Sequence, residues 1–249
     1  MNFKLLIQYD GTEFHGWQTQ EGLRTVQGEL VRVLSLLDDR EVRVYGSGRT
    51  DAGVHAEGQV ASVELQREIT PLELRSAING NLTRDMRVVF AEVAPEDFHA
   101  RYSAVSKTYG YRLVHGPVMS PFWSRFAHQE ARPIDLELVR GCAGLFIGEH
   151  DWTAFSAAQS DAKSRLRTVT QLDVSAGWDG RGLCHLIEFI VTANGFLRYM
   201  VRSIVGTLLA VGRGEMEPHT IRHAIESGDR NLVGPTAPAC GLTLLRVQY

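Results

Sequence analysis

Residues 41–65, EVRVYGSGRTDAGVHAEGQVASVEL, decide the fold of this chain. Val42 and Val44 alternate with polar neighbours over 41–46, and residues 59–65 repeat that period-two pattern, so both ends read as strands. The loop between them, 46–58, is longer than a hairpin needs. Its glycines at 46, 48 and 53 permit backbone conformations and close approaches that a side chain would forbid. Among them stands Asp51, with Arg49 two residues before it. A phosphate cradle would end in Lys-Ser/Thr and open a helix, whereas this loop lacks that ending and runs into a strand. On these residues alone, a long turn and an active-site loop both remain open.

Working outward, the strand pair is the centre of a six-element unit. Phe3, Leu5, Ile7 and Tyr9 alternate over residues 2–9, as in a half-buried strand. Val26, Leu30, Val33, Leu34 and Leu37 form a helical stripe. Thr70-Pro71-Leu72-Glu73 reads as a capping box with proline at the first helical position, predicting a helix to about Asn79. Residues 86–94 read as a strand. The order β-α-β-β-α-β is that of a ferredoxin-like unit.

The remaining chain repeats it. A strand is expected over 107–114, and a helix through Leu136, Val139, Ala143 and Phe146 ending at Gly148. Two strands, 166–174 and 183–192, flank a glycine-rich turn. A long helix is marked by Leu197, Met200, Val201, Ile204, Val205 and Leu208, a short one starts near Pro218, and a strand over 241–247 closes the chain. The predicted class is therefore α+β: two ferredoxin-like halves, 1–103 and 104–249, facing each other across a central cleft.

Composition narrows the function. At 249 residues and 44% hydrophobic content the chain can bury a substantial core. No uncharged run approaches the roughly 20 apolar residues of a membrane span, and no signal-peptide core follows the first strand, so a cytoplasmic protein is expected. Cys142, Cys184 and Cys240 form no Cys-x-x-Cys pair, which leaves neither a disulfide framework nor a zinc ribbon. None of the histidines at 15, 55, 99 and 150 stands at a metal-binding spacing, so no metal is expected; no nucleotide fingerprint appears either, so no nucleotide cofactor is expected. The net charge of -3 argues against a generally basic nucleic-acid binder. The distribution leaves two readings open, a basic groove or chance clustering on solvated faces, with the latter slightly favoured on charge alone: 98–129 and 189–214 contain no acid. They carry Arg101, Lys107, Arg112 and Arg125, and Arg198, Arg202 and Arg213. Such segments can build a positive groove.

The loop sequence GRTDAGVHA (48–56) resembles the signature of the tRNA pseudouridine synthase A family. Four further segments resemble that family in the same order: YDGTEFHGWQ (9–18) with TVQG (25–28); FHARYS (98–103) with KTY (107–109); GFLRYMVR (195–202) with VG (205–206); and TAP (236–238) with GL (241–242). Ser47 and Ser203 depart from its commonest residues without removing a catalytic group. The resemblance implies a cofactor-free enzyme that isomerises uridine to pseudouridine at positions 38, 39 and 40 of the tRNA anticodon arm, working as a homodimer. It implies Asp51 as the catalytic nucleophile, Arg202 as its ionic partner, Tyr109 as the tyrosine of the base pocket and Arg49 as the base-flipping arginine. From position alone, Leu242 reads as a residue packed on the base or equally as a core leucine of the last strand. Arg198 and Arg202, four apart in the expected helix, would share one face.

Two other classes compete with this reading. A glycosidase using Asp10 and Asp51 would also act at an anomeric carbon, but Asp10 reads as a turn residue beside Gly11. A non-catalytic RNA-binding module could use tandem ferredoxin-like halves. It would gain nothing from a carboxylate in a glycine-rich loop facing a polyanion, since that charge weakens phosphate binding.

Overall fold

The computed structural model describes residues 1–159 and 164–249. Contacts divide the chain into two units, Met1–Val105 with Leu244–Tyr249, and Ser106–Thr243. The described residues form a mixed α+β chain whose strands pair mostly antiparallel and which includes five α-helices.

The first unit runs β1 (Asn2–Tyr9), α1 (Val26–Asp38), β2 (Val44–Gly46), β3 (His55–Glu64), α2 (Pro71–Asn81) and β4 (Met86–Val93). Strand β1 is central, antiparallel to both β3 and β4, and β2 pairs antiparallel with β3. Its alternation is the predicted one: Phe3, Leu5 and Ile7 are wholly buried. The helices cover the sheet with Val26, Leu30, Val33 and Leu34 of α1 and Leu74 and Ile78 of α2. Thr70 and Glu73 form the expected capping box, satisfying orphan N–H groups at the start of α2.

In the second unit follow β5 (Ser106–His115), β6 (His128–Glu130), α3 (Leu136–Ala143), β7 (Gly148–Asp151), β8 (Leu166–Asp179), β9 (Cys184–Ala193), α4 (Met200–Gly212) and α5 (His219–Ser227). The strand order is β5-β9-β8-β7, with β6 parallel to β5. The closing strand, β10 (Leu242–Gln248), belongs from Leu244 onward to the first unit, where it lies beside β3. Two short strands, β6 and β7, add to the elements expected from the sequence.

The long helix of this unit starts later than its apolar stripe suggests. Tyr199 has φ 68°, in the left-handed region, so α4 begins only at Met200. Arg198 therefore precedes the helix, and the expectation that it shares a helical face with Arg202 is corrected. Every residue of α4 except Arg202 is buried, as expected of a helix that is apolar nearly all round. Among the described residues no helix is long and apolar enough to cross a membrane.

Candidate active site

The Asp51 loop is fastened to residues 9–18 of the same unit. Trp17 N–H donates to the Thr50 carbonyl at 3.0 Å, and Gly53 N–H donates to the Phe14 carbonyl at 3.3 Å. Val54 N–H donates to the Asp51 carbonyl at 3.1 Å. The Tyr9 and Thr50 hydroxyls are hydrogen-bonded at 2.8 Å in a buried setting, where burial pushes the Tyr9 phenol up to about 12. At the loop's origin, Ser47 Oγ donates to Gln59 Oε1 at 2.7 Å, and Gln59 Nε2 returns a bond to the Gly48 carbonyl at 3.0 Å. The main chain on both sides of Asp51 is thus committed, and the half-buried carboxylate has little freedom beyond its own rotamers.

Close packing accounts for the residue types in YDGTEFHGWQ. A Cβ on Gly16 would lie 2.7 Å from the Thr50 carbonyl oxygen, and Gly16 also has φ +86°, so glycine is required there twice over. Trp17, wholly enclosed, lies against Gly46, where a Cβ would come within 2.4 Å of its ring. Asp10 caps the single 3-10 turn at Gly11–Glu13, accepting from Thr12 N–H at 3.0 Å, and its carboxylate lies 3.3 Å from His55 Nδ1. It is the turn residue expected. His55 Nδ1 accepts from Gly11 N–H at 2.9 Å, a second tie between the opening segment and the far end of the loop. Arg49 is exposed, and its Nε donates to Gln18 Oε1 at 3.0 Å.

The second unit assembles its own group of candidate residues. Tyr109 lies on β5, opposite Val191 of β9, and is 7% exposed. Its ring meets Phe196 edge-on at 5.1 Å, which joins it to the turn leading into α4. That turn ends on Tyr199, whose ring lies 4.8 Å from the Arg198 guanidinium carbon and 5.2 Å from that of Arg202. A bulky residue in left-handed backbone is uncommon and is held only where its surroundings over-determine it. Here the ring is gripped by two cations. Neither the backbone state of Tyr199 nor its role is legible in the sequence, because aromatic residues give no signal for positive φ.

Arg202 is the half-buried exception on an otherwise buried helix. Its Nε donates to the Ala237 carbonyl at 2.7 Å, while its own carbonyl accepts from Ala237 N–H at 3.0 Å. This reciprocal pair of bonds docks residues 234–238 on α4. Gly206 makes the approach possible, since a Cβ there would sit 1.7 Å from the Pro235 carbonyl oxygen. Thr207 Oγ1 accepts from Gly234 N–H at 3.0 Å, and Arg230 bridges Ser203 Oγ at 2.9 Å and Thr236 Oγ1 at 2.7 Å. The VG and TAP segments are thereby one packed feature whose effect is to aim Arg202.

Leu242 is 6% exposed at the head of β10, directly after the 3-10 turn Ala239–Gly241. Gly241 of that turn rests on the Tyr111 ring, where a Cβ would come within 2.6 Å of Cζ. Tyr111, wholly buried, has a hydroxyl with no hydrogen-bond partner among the described residues, and burial raises its pKa well above the usual tyrosine range. Asp51 and Arg49 therefore belong to the first unit, and Tyr109, Arg202 and Leu242 to the second.

Comparison with known proteins gives this set of residues a family. A family model described as tRNA pseudouridine synthase matches residues 5–103 and 142–249. A tRNA pseudouridine synthase A from Geobacillus sp. (strain WCH70) is 41% identical over 247 residues, 99% of this chain and 97% of that protein. One from Allorhizobium ampelinum is 39% identical, covering 99% and 94%, and one from Bacillus sp. (strain KSM-64) is 40% identical, covering 100% and 99%. The segments that anchor Asp51 and aim Arg202 all fall inside the matched regions. The chain belongs to the tRNA pseudouridine synthase family.

Proposed function

We propose that the protein is an isomerase that converts uridine to pseudouridine in tRNA, with the Asp51 carboxylate as its nucleophile. Full-length similarity to named synthases carries the reading, and the immobilised loop around Asp51 supports it. The reaction breaks the N1–C1′ bond of uridine, turns the free uracil and joins its C5 to C1′; the C5 proton is released and N1 takes one up, so the product is an isomer. It requires a carboxylate that stays ionised and a pocket that retains the detached base.

Asp51 supplies the carboxylate, and Arg202 acts as its ionic partner, keeping it ionised and fixing its direction. Tyr109 stacks on the target base, and its hydroxyl takes part in moving the C5 proton. Arg49, exposed on the loop, fills the place left when the uridine is extruded, and Leu242 packs on the base. We take the substrate positions as uridines 38, 39 and 40 of the anticodon arm, the protein as a cytoplasmic homodimer, and the halves 1–103 and 104–249 as ferredoxin-like. The order β4-β1-β3 with β2 on β3 supports that last reading for the first half.

The test is tritium release. With unmodified tRNA labelled at C5 of uridine, the purified protein should release tritium to water in EDTA with no added cofactor. No release, or release only with a divalent metal beyond that needed to fold the tRNA, would refute the proposal.

A further inference from the structure

We propose that Tyr45, His99 and Tyr102 form a stacking platform for an unpaired nucleotide of the tRNA substrate, separate from the residues assigned to catalysis. The inference rests on the reading of the protein as a tRNA-modifying enzyme and adds a binding surface to it.

The platform is built by two segments of the first unit. The turn at 98–103 closes on itself: His99 N–H donates to Ser103 Oγ at 3.1 Å, and Ser103 N–H donates to the His99 carbonyl at 2.9 Å. His99 Nδ1 accepts from the N–H groups of Arg101 at 3.1 Å and Tyr102 at 3.4 Å, which fixes the ring's orientation and leaves Nε2 as its donor. Buried Ala100 then pins the turn to β3, its N–H donating to Ser62 Oγ at 3.1 Å. Ser62 is the cross-strand partner of Tyr45 on β2. The three rings are consequently brought into one row, Tyr45 to His99 at 4.8 Å and His99 to Tyr102 at 4.4 Å.

This row faces water. Tyr45 is 45% exposed and Tyr102 is 77% exposed. A ring series of this kind in a core would contribute through burial, but here most of that contribution is forgone. Exposed Glu96 and Asp97 precede the turn, but arginines stand beside the rings themselves. The Arg101 guanidinium carbon lies 5.7 Å from the Tyr102 ring centroid, and Arg43, also exposed, precedes Tyr45 by two residues in the chain. From Phe98 to Gln129 the chain has no acid. Aromatic rings interleaved with arginines accept any base by its π-face while the cations take the phosphates. Strand β2, which carries Tyr45, leads in the chain directly into the Asp51 loop.

The experiment measures affinity of the full-length protein for an unmodified tRNA transcript at several salt concentrations. Tyr102→Ala and Tyr45→Ala should each weaken binding roughly tenfold, as expected for one lost base–aromatic stack. Because neither removes a charge, the slope of log K against log salt should stay as in the wild type. Tyr102→Phe should bind like the wild type, and Arg101→Gln should lower the slope by about one. Circular dichroism and sedimentation accompany each variant. Folded Tyr102→Ala and Tyr45→Ala proteins that bind tRNA as the wild type does would overturn the inference alone. So would a change of oligomeric mass with unchanged tRNA affinity, since the row would then be a contact between copies. Failure of the wild type to bind any tRNA would overturn the functional reading and this inference with it.

Discussion

The Tyr9 hydroxyl lies 2.8 Å from the Thr50 hydroxyl, so the end of the first strand is tied to the residue that precedes Asp51. Both side chains are buried, which keeps water from replacing either partner. Tyr9→Phe deletes the bond and leaves Thr50 Oγ without it, which should cost about 1–2 kcal/mol in urea unfolding. Turnover should fall as well if Asp51 is the nucleophile proposed above, since the bond holds the main chain beside its carboxylate. Stability lost with turnover intact would show that the tie is structural only.

A second prediction concerns acid. Arg24 clamps Asp85 with two bonds, Nη1 to Oδ2 at 2.7 Å and Nη2 to Oδ1 at 2.9 Å. This hydrogen-bonded guanidinium holds the Asp85 carboxyl at about 2, below its ordinary 3.8, and the side chain is 21% exposed. A carboxyl depressed by folding stabilises the native state above its unfolded pKa, and that contribution disappears as pH falls through the folded value. The stability gap between wild type and Arg24→Gln should be constant above about pH 5 and shrink by about 2 kcal/mol on descending to about pH 2. A gap that does not change over that window would deny the pair its role.

Tyr111→Phe should go the other way. Its hydroxyl is buried without a partner among the described residues, and an unsatisfied buried hydroxyl costs about 1–3 kcal/mol. The ring, seated under Gly241 and edge-on to Phe189, is kept by phenylalanine. Thermal unfolding should therefore occur at a higher temperature in the variant. A lower one would reveal a hydrogen bond that the hydroxyl makes in solution.

These relationships mark what can be read from sequence and what cannot. Local signals survive: the alternation of Phe3, Leu5 and Ile7, and the capping box at Thr70, appear where expected because neighbouring residues alone determine them. The three- and four-residue strands β6 and β7 are too short to show a period. Arg198 reads as helical because the apolar stripe from Leu197 continues without a break, although Tyr199 interrupts the backbone. The anchoring of Asp51 is invisible for a different reason. Tyr9 and Thr50 are 41 positions apart, and Trp17 meets Gly46 only once the strands pair. The family resemblance points to Asp51, Arg49, Tyr109 and Arg202, and position alone to Leu242; only the folded chain explains why Gly16, Gly46 and Gly206 accompany them.

The central claim is that the Asp51 carboxylate performs the chemistry, and Asp51→Asn tests it most directly. The substitution keeps the side chain's shape, and the loop is held by main-chain bonds at Thr50, Asp51 and Gly53 that it leaves in place. The variant should fold, and should bind tRNA as well as the wild type or slightly better, because one negative charge facing phosphate has gone. With melting temperature and tRNA affinity verified, pseudouridine in the tRNA is quantified after prolonged incubation. The account predicts none above background. Pseudouridine formed by a folded, tRNA-binding Asp51→Asn protein would contradict it.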